Sequence, residues 1–180
     1  MKKLLTALCM IFLTIITAQQ SHSQIKLSKE ETVEYINKIL SISLGKYKSD
    51  PNESFWAIEE QSFSLDKVAI TKQVYAKDSD NGGWRKSCKF TDNISQIPWE
   101  TLQSVSIDTT LKFELGLINL LFKTSSREEL ITDCHMKEFD GTKIYTPKEI
   151  SLYVTKDKAE NVKKAFLHLK ELMYKKDPFE

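Results

Sequence analysis

Apolar residues recur every three or four positions near the end of the chain, between Asp157 and Lys176. At 3.6 residues per turn these positions form one stripe along a helix, and Asp157 with Glu160 can cap its first turn. The pattern predicts a long amphipathic helix that covers a sheet. The stripe consists of Ala159, Val162, Ala165, Phe166, Leu169, Leu172 and Met173.

A second helical pattern, near the start of the chain, predicts a helix over residues 28–44. Ser28 and Glu31 have the spacing of a capping box, and Gly45 is a natural stop. Its apolar positions are Val33, Ile36, Ile39 and Leu40. They either pack on the outer sheet face of the same domain or bind another protein.

Between the two helices the pattern changes to short runs with the two-residue alternation of strands, after a loop at 46–53. Asn81-Gly82-Gly83 and Asp140-Gly141 predict tight turns. A change of phase beside Gly116 predicts a bulge or a strand covered on both faces, and Pro147 predicts an edge or an interruption. The predicted strands are 55–62, 65–76, 84–90, 101–108, 111–122, 129–139 and 143–154.

This order of elements predicts an α+β domain: an N-terminal helix, about seven antiparallel strands in two bent sheets or a partly open barrel, and a C-terminal helix packed on them. Over Ser54 to Lys176 the chain resembles the pleckstrin-homology-like superfold. The likeness is carried by the element order, by Trp99, Leu102 and Val105 at the entry to the fourth strand, and by the last helix. The chain also resembles small exported proteins of Gram-negative bacteria, and neither resemblance implies an activity.

The first residues have the layout of a secretory signal peptide. Two lysines precede an apolar run from Leu4 to Ala18, which is shorter than the roughly 20 residues of a spanning helix. Cleavage is expected after Ala18, giving a signal peptide at 1–18, or alternatively after Ser23; an uncleaved anchor is the other reading. The protein is therefore expected in the periplasm or outside the cell, with only transient membrane contact through the leader.

The net charge restricts the class of partner, and the cysteines indicate a disulfide or buried thiols. The whole chain has 26 basic and 25 acidic side chains, and loss of Lys2 and Lys3 with the leader leaves it near neutral, which argues against a nucleic-acid partner. Cys88 and Cys134 remain after cleavage. In an oxidising compartment they can form a disulfide worth about 3–4 kcal/mol, or they can stay as buried thiols.

Asp133 and His135 are the weak candidates for a metal site. They share one face of a predicted strand, with Glu138 and Asp140 nearby, but the same pattern also suits a solvated strand face. His135 cannot activate Cys134, because neighbours on a strand point to opposite faces. No catalytic motif, no cofactor motif and no full metal-ligand set is present, so we predict no catalytic residue and no cofactor.

Three functions remain open. The first is a non-catalytic binding or scaffold domain that recognises a protein segment or an envelope component. The second is a carrier of an apolar or lipid ligand, suggested by Trp56, Trp84, Trp99 and Phe113, and the third is a metal-dependent hydrolase. Anionic lipid is a further possible ligand of a basic patch, although solvated lysines explain it as well. The patch would comprise Lys67, Lys72, Lys77, Arg85, Lys86 and Lys89.

Overall fold

A computed structural model describes residues 27–50, 54–78, 82–110, 114–135 and 137–174, with only the backbone of 47–50. The predicted leader, both cleavage sites and Phe113 lie outside the described residues. The described chain is α+β, as predicted, with two antiparallel sheets that do not close into a barrel and a helix at each end. No helix in this part of the chain is long and apolar enough to cross a membrane.

Helix α1 spans Lys29–Leu40 and begins at the predicted capping box. The backbone N–H of Ser28 donates to Glu31 Oε2 at 2.7 Å, and that of Glu31 donates to Ser28 Oγ at 3.1 Å. The α-helix ends earlier than the predicted 44, because the chain tightens into a 3-10 turn over Ser41–Ser43. Ser43 Oγ donates to the carbonyl oxygen of Leu40 at 2.6 Å and holds that turn.

A six-stranded antiparallel sheet carries most of the domain. Its order is β1-β2-β3-β4-β7-β8, with the two ends formed by β1 and β8. The prediction of a loop over 46–53 was wrong in part, because β1 pairs with β2 within that segment. The strands are Tyr47–Asp50 (β1), Ser54–Phe63 (β2), Lys67–Lys77 (β3), Trp84–Ser95 (β4), Arg127–Cys134 (β7) and Gly141–Tyr145 (β8).

The second sheet has three strands in the order β5-β6-β9. The chain leaves the large sheet after β4, builds β5 and β6, returns for β7 and β8, and crosses again for β9. Consecutive strands therefore do not pair at these three crossings, because burial of both sheets on one core outweighs local hairpin pairing. The strands are Leu102–Asp108 (β5), Leu115–Phe122 (β6) and Glu149–Thr155 (β9).

Three predicted strands differ markedly from the observed ones. Strand β4 continues past Phe90 to Ser95, because Ile94 is buried in the core. The predicted strand 129–139 stops at Cys134 and gives way to a 3-10 turn over Lys137–Phe139. The connection between β7 and β8 therefore ends at Asp140, and Gly141, predicted to lie in a tight turn, already belongs to β8. The predicted strand 143–154 is interrupted at Pro147, as expected, and its halves belong to different sheets.

The bulge predicted beside Gly116 is absent from the pairing of β6 with β9. The glycine instead lies where two strands approach each other closely. The register between β6 and β9 runs without a shift across this position. A Cβ at Gly116 would lie 3.1 Å from the carbonyl oxygen of Asp108 on β5, which is tighter than ordinary packing.

Helix α2, Ala159–Tyr174, seals the core with the predicted stripe. Phe166 and Leu169 are fully buried, so the side of the helix predicted to face the sheets does so. Phe166 meets Phe63 of β2 edge-to-face, with ring centroids 5.0 Å apart. The helix begins at Ala159, after a 3-10 turn over Lys156–Lys158.

Helix α1 shares this core, as the sequence favoured, but it contacts α2, β2 and β9 and not an outer sheet face. Ile36 and Leu40 are fully buried there. The Trp99 indole is buried as predicted and donates from Nε1 to the carbonyl oxygen of Leu65 at 2.7 Å. Most apolar positions of both helices are thus buried within the domain, so the sheets present the remaining surface at which a partner could bind.

Candidate functional site

A disulfide joins Cys88 and Cys134 across the middle of the large sheet. Cys88 on β4 lies directly opposite Cys134 on β7, and their Cα atoms are 4.0 Å apart. Just beyond it, Asp140 Oδ1 accepts from the backbone N–H of Cys134 at 2.6 Å. This bond and the Asp140 ion pair with Lys137 hold the pKa of Asp140 below its usual value. The disulfide and Asp140 thus fix the turn that leads into β8.

Asp133 and His135 line one shallow depression on the outer face of the large sheet. Asp133 pairs with Lys137, Oδ1 to Nζ, at 3.1 Å, and the backbone N–H of His135 donates to the Ser87 carbonyl oxygen at 2.8 Å. Among the described residues no three histidine, cysteine or carboxylate side chains are grouped so that they could hold a metal ion. The depression is therefore a charged, open surface, and Lys137 occupies the position beside Asp133 that a cation would need.

The predicted basic residues do not form one continuous patch, because carboxylates separate them. Glu59 lies between Lys86 and Lys89, with N–O distances of 3.2 and 3.6 Å. Lys72 lies on a different face and pairs with Asp92 at 2.7 Å. The positive charge available for an anionic surface is reduced accordingly.

A half-buried polar cluster, which was not predicted from the sequence, joins the two sheets. Lys72 and Asp92 form its ion pair, Glu128 of β7 lies on the same sheet face, and Tyr153 of β9 approaches from the other sheet. Trp56 of β2 meets the Tyr153 ring edge-to-face at 5.0 Å. The alternation of β4 and β7 could have placed Asp92 and Glu128 on the inner face, but nothing in the sequence brings Tyr153 to them.

The electrostatics of this cluster follow from its burial. Burial lowers the pKa of Lys72, but Tyr153, Asp92 and Glu128 together outweigh burial and raise it. Burial raises the pKa of Glu128, and the neighbouring Asp92 charge raises it further. Burial also raises the pKa of the Tyr153 phenol. Lys72 stays charged and paired with Asp92, whereas the raised pKa of Glu128 disfavours its ionisation. The cluster is therefore a structural ion pair beside one carboxyl group, and it contains no evident nucleophile.

Strand β8 is an exposed edge of the large sheet. It pairs with β7 on one side, and within the described residues no strand pairs with its other side. All five of its residues are exposed, including Ile144 at 58% and Tyr145 at 44%. Its only charged side chain is Lys143. With two large apolar side chains and one lysine among its five residues, this edge can accept another strand through its unpaired N–H and C=O groups.

The two edge strands of the small sheet carry side-chain contacts on their backbone, in contrast to β8. On β9, the Gln61 side chain bonds to both main-chain groups of Tyr153. On β5, Lys170 Nζ of α2 donates to the carbonyl oxygen of Gln103 at 3.3 Å. These contacts use backbone groups that an added strand would need, whereas no such contact reaches β8 from the described part of the chain.

A cavity of about 480 Å³ lies beside β8 on the inner face of the large sheet. Its walls include the side chains of Phe90, Leu130 and Phe139 and the disulfide, and Gly141 with Lys143 forms the rim on β8. The carboxylates of Glu138 and Asp140 also line it. Phe139 is 56% exposed, which is unusual for a side chain of this size. Apolar walls next to a free strand edge provide the two parts of a peptide-binding groove.

The aromatic residues expected to line a ligand cavity do not converge. Trp99 is in the core and Trp56 packs on Tyr153. Trp84 is 52% exposed on the outer face and packs against Phe55 at 4.9 Å, where Tyr75 stacks on the same ring at 4.6 Å. The sequence missed the β8 groove because its apolar walls come from β4, β7 and a 3-10 turn.

No protein family model matches the chain, and no curated protein or solved structure matches it either.

Proposed function

We propose that this protein is an exported, non-catalytic binding domain that takes up an extended segment of another protein as an additional strand on β8. The observation that carries the proposal is an exposed strand edge beside an apolar cavity. Main-chain hydrogen bonds to an edge strand supply affinity in this binding mode, and pockets for alternate side chains supply specificity.

The position of β8 on a rigid support favours this role. Strand β7 pairs with it along its whole length, and the Cys88–Cys134 disulfide ties β7 to the central strand β4. A preformed edge costs little conformational entropy when the partner binds. The ordering cost therefore falls mainly on the incoming segment.

Export is supported by two features. The predicted signal peptide covers 1–18, with the alternative cut after Ser23, and the disulfide suits an oxidising compartment. An envelope protein, in the periplasm or on the cell surface, is therefore the partner we propose.

A pleckstrin-homology-like architecture is the proposed finer description of the fold. Two antiparallel sheets covered by a C-terminal amphipathic helix support it. The pairing of β7 with β4 and the presence of α1 in the core depart from a simple meander of seven strands. Those departures limit the likeness to the arrangement of the layers.

The test uses short displayed peptides selected on the mature protein. Selected peptides are expected to protect the outward amides of residues 141–145 from hydrogen exchange, while amides of the β5 edge keep their rates. Peptides that bind but leave the β8 amides unprotected would overturn the proposal. Protection that grows with protein concentration in the absence of peptide would point instead to β8 pairing between two copies, which also overturns it.

An apolar-ligand carrier is the second candidate, and the walls of the same cavity favour it. Titration with a medium-chain fatty acid discriminates between the two. Saturable fatty-acid binding without protection of the β8 amides would favour the carrier, whereas its absence leaves the peptide site as the better account.

A further inference from the structure

The rim of the cavity is open because a glycine lies at its edge. Gly141 is opposite Thr132 of β7, on the strand that forms the free edge. It is not among the described glycines with positive φ, which are Gly45 and Gly82, and a Cβ built on it meets no atom within 4 Å. The backbone therefore does not require glycine here, and the effect of glycine is to leave a gap between the cavity and the strand edge.

Strand geometry fixes which side chain of an added strand reaches this gap. Residues opposite each other in a sheet share a face, and Gly141, Thr132 and Phe90 are such neighbours across β8, β7 and β4. A residue that opposes Gly141 on an added strand points to the same face. Its side chain enters the cavity beside Phe90 and Phe139, with no side chain of position 141 in the way.

Lys143, two residues after Gly141 on β8, adds a requirement for the charge of the added strand. Lys143 lies on the same face as Gly141, opposite Leu130, and it also lines the cavity. Among the described residues no carboxylate lies within ion-pair distance of its ammonium group. Of the two carboxylates that line the cavity, Asp140 is paired with Lys137, and neither it nor Glu138 forms an ion pair with Lys143. A residue opposite Lys143 on the added strand is therefore favoured to be acidic.

We propose that the β8 edge selects strands with an acidic residue two positions before a large apolar residue, an inference that rests on the proposed strand-addition function. The order follows from antiparallel addition, the pairing used throughout both sheets. The apolar side chain opposes Gly141, and the acidic one opposes Lys143. A leucine, methionine or phenylalanine suits the apolar walls.

Four proteins test the motif: the wild type and the variants Gly141→Leu, Gly141→Ala and Lys143→Glu. Peptides selected on the wild type are expected to share the acidic–x–apolar pattern. Gly141→Leu, which fills the gap, is expected to weaken them about tenfold or more, as loss of one buried large apolar side chain implies. Gly141→Ala, which adds only a Cβ, is the graded variant and is expected to weaken them less than Gly141→Leu does.

Lys143→Glu tests the charge separately from the cavity. Selection on this variant is expected to replace the acidic position by lysine or arginine and to keep the apolar one. Denaturation midpoints of all variants within the range of the wild type establish that they fold.

The outcomes distinguish the proposed sequence motif from the strand-addition function on which it rests. Peptides that protect the β8 amides but lack the motif, or that bind Gly141→Leu and Gly141→Ala equally, overturn the motif and leave strand addition standing. Peptides that protect no β8 amide remove both. An unchanged acidic preference on Lys143→Glu overturns the charge requirement.

Discussion

The side chain of Gln61 bonds to the main chain of Tyr153 in both directions. Gln61 Nε2 donates to the Tyr153 carbonyl oxygen at 2.7 Å, and the Tyr153 N–H donates to Gln61 Oε1 at 2.8 Å. Gln61 is on β2 of the large sheet and Tyr153 on β9 of the small one. The amide therefore takes the place of a neighbouring strand and connects the two sheets at an edge that would otherwise be open.

Gln61→Leu is expected to destabilise the domain by about 2–4 kcal/mol, because it leaves one half-buried N–H and one half-buried C=O unpaired. The free energy of unfolding from urea titration measures the loss. Gln103→Leu on the exposed surface of β5 is the control, expected within about 0.5 kcal/mol of the wild type. A loss at Gln61 no larger than that of the control would show that the link carries no stability.

The same device joins helix α1 to the large sheet. Asn37 Nδ2 donates to the Phe63 carbonyl oxygen at 2.7 Å, and the Phe63 N–H donates to Asn37 Oδ1 at 2.9 Å. Two amide side chains thus complete strands β2 and β9. Neither pairing has a sequence signature, since the partners are 26 and 92 residues apart.

Phe166→Ala is expected to cost about 3–5 kcal/mol, because a fully buried ring between Phe63 and Trp99 leaves a cavity when removed. Leu167→Ala removes an exposed side chain from the opposite face of α2 and serves as the matched control. Urea unfolding followed by tryptophan fluorescence measures both. Equal losses at the two positions would contradict the role of α2 as the cover of the core.

What the sequence predicted well rests on local physics. The capping box of Ser28 and Glu31, the stripe of α2 and the interruption at Pro147 each depend on residues close in the chain. The predictions of these features were correct because helical periodicity and capping depend only on residues close in the sequence.

What it missed depends on partners far apart in sequence. The pairing of β4 with β7 across an intervening hairpin, β5–β6, has no local signal, so the sheet order could not be predicted. The β8 groove is missed for the same reason, since its wall residues Phe90 and Phe139 come from separate elements. The alternation of β7 puts Leu130 on the face opposite Asp133, but it does not show that a cavity lies on this face.

The disulfide is expected to stabilise the protein by about 3–4 kcal/mol, from the loss of chain entropy in an unfolded loop closed across 46 residues. Treatment with a dithiol reductant should lower the denaturation midpoint of the wild type. The double variant Cys88→Ala/Cys134→Ala should show the lower midpoint at once and should not respond to the reductant. A wild type that is insensitive to reductant, with the thiols verified as free, would contradict the stabilising role.

Glu128→Gln is expected to change the pH dependence of stability. Burial, and then the charge of Asp92, raises the pKa of Glu128 in the folded protein, while the Lys72 charge opposes that rise. A raised carboxyl pKa favours the fold when the group is protonated. The contribution is therefore complete below the unfolded pKa near 4.5 and is lost as the pH rises through the folded value.

The wild type should consequently lose stability relative to Glu128→Gln between acid and neutral pH, since the neutral amide never pays the cost of burying a charge beside Asp92. Urea titrations of both proteins at several pH values measure the difference. Glu129→Gln is the matched control, because Glu129 is exposed on the opposite face of β7 and its replacement should leave the pH dependence as it is. A constant difference between the wild type and Glu128→Gln across this range would show that Lys72 fully compensates the carboxylate, and the cluster would then be a balanced ion network and not a strained one.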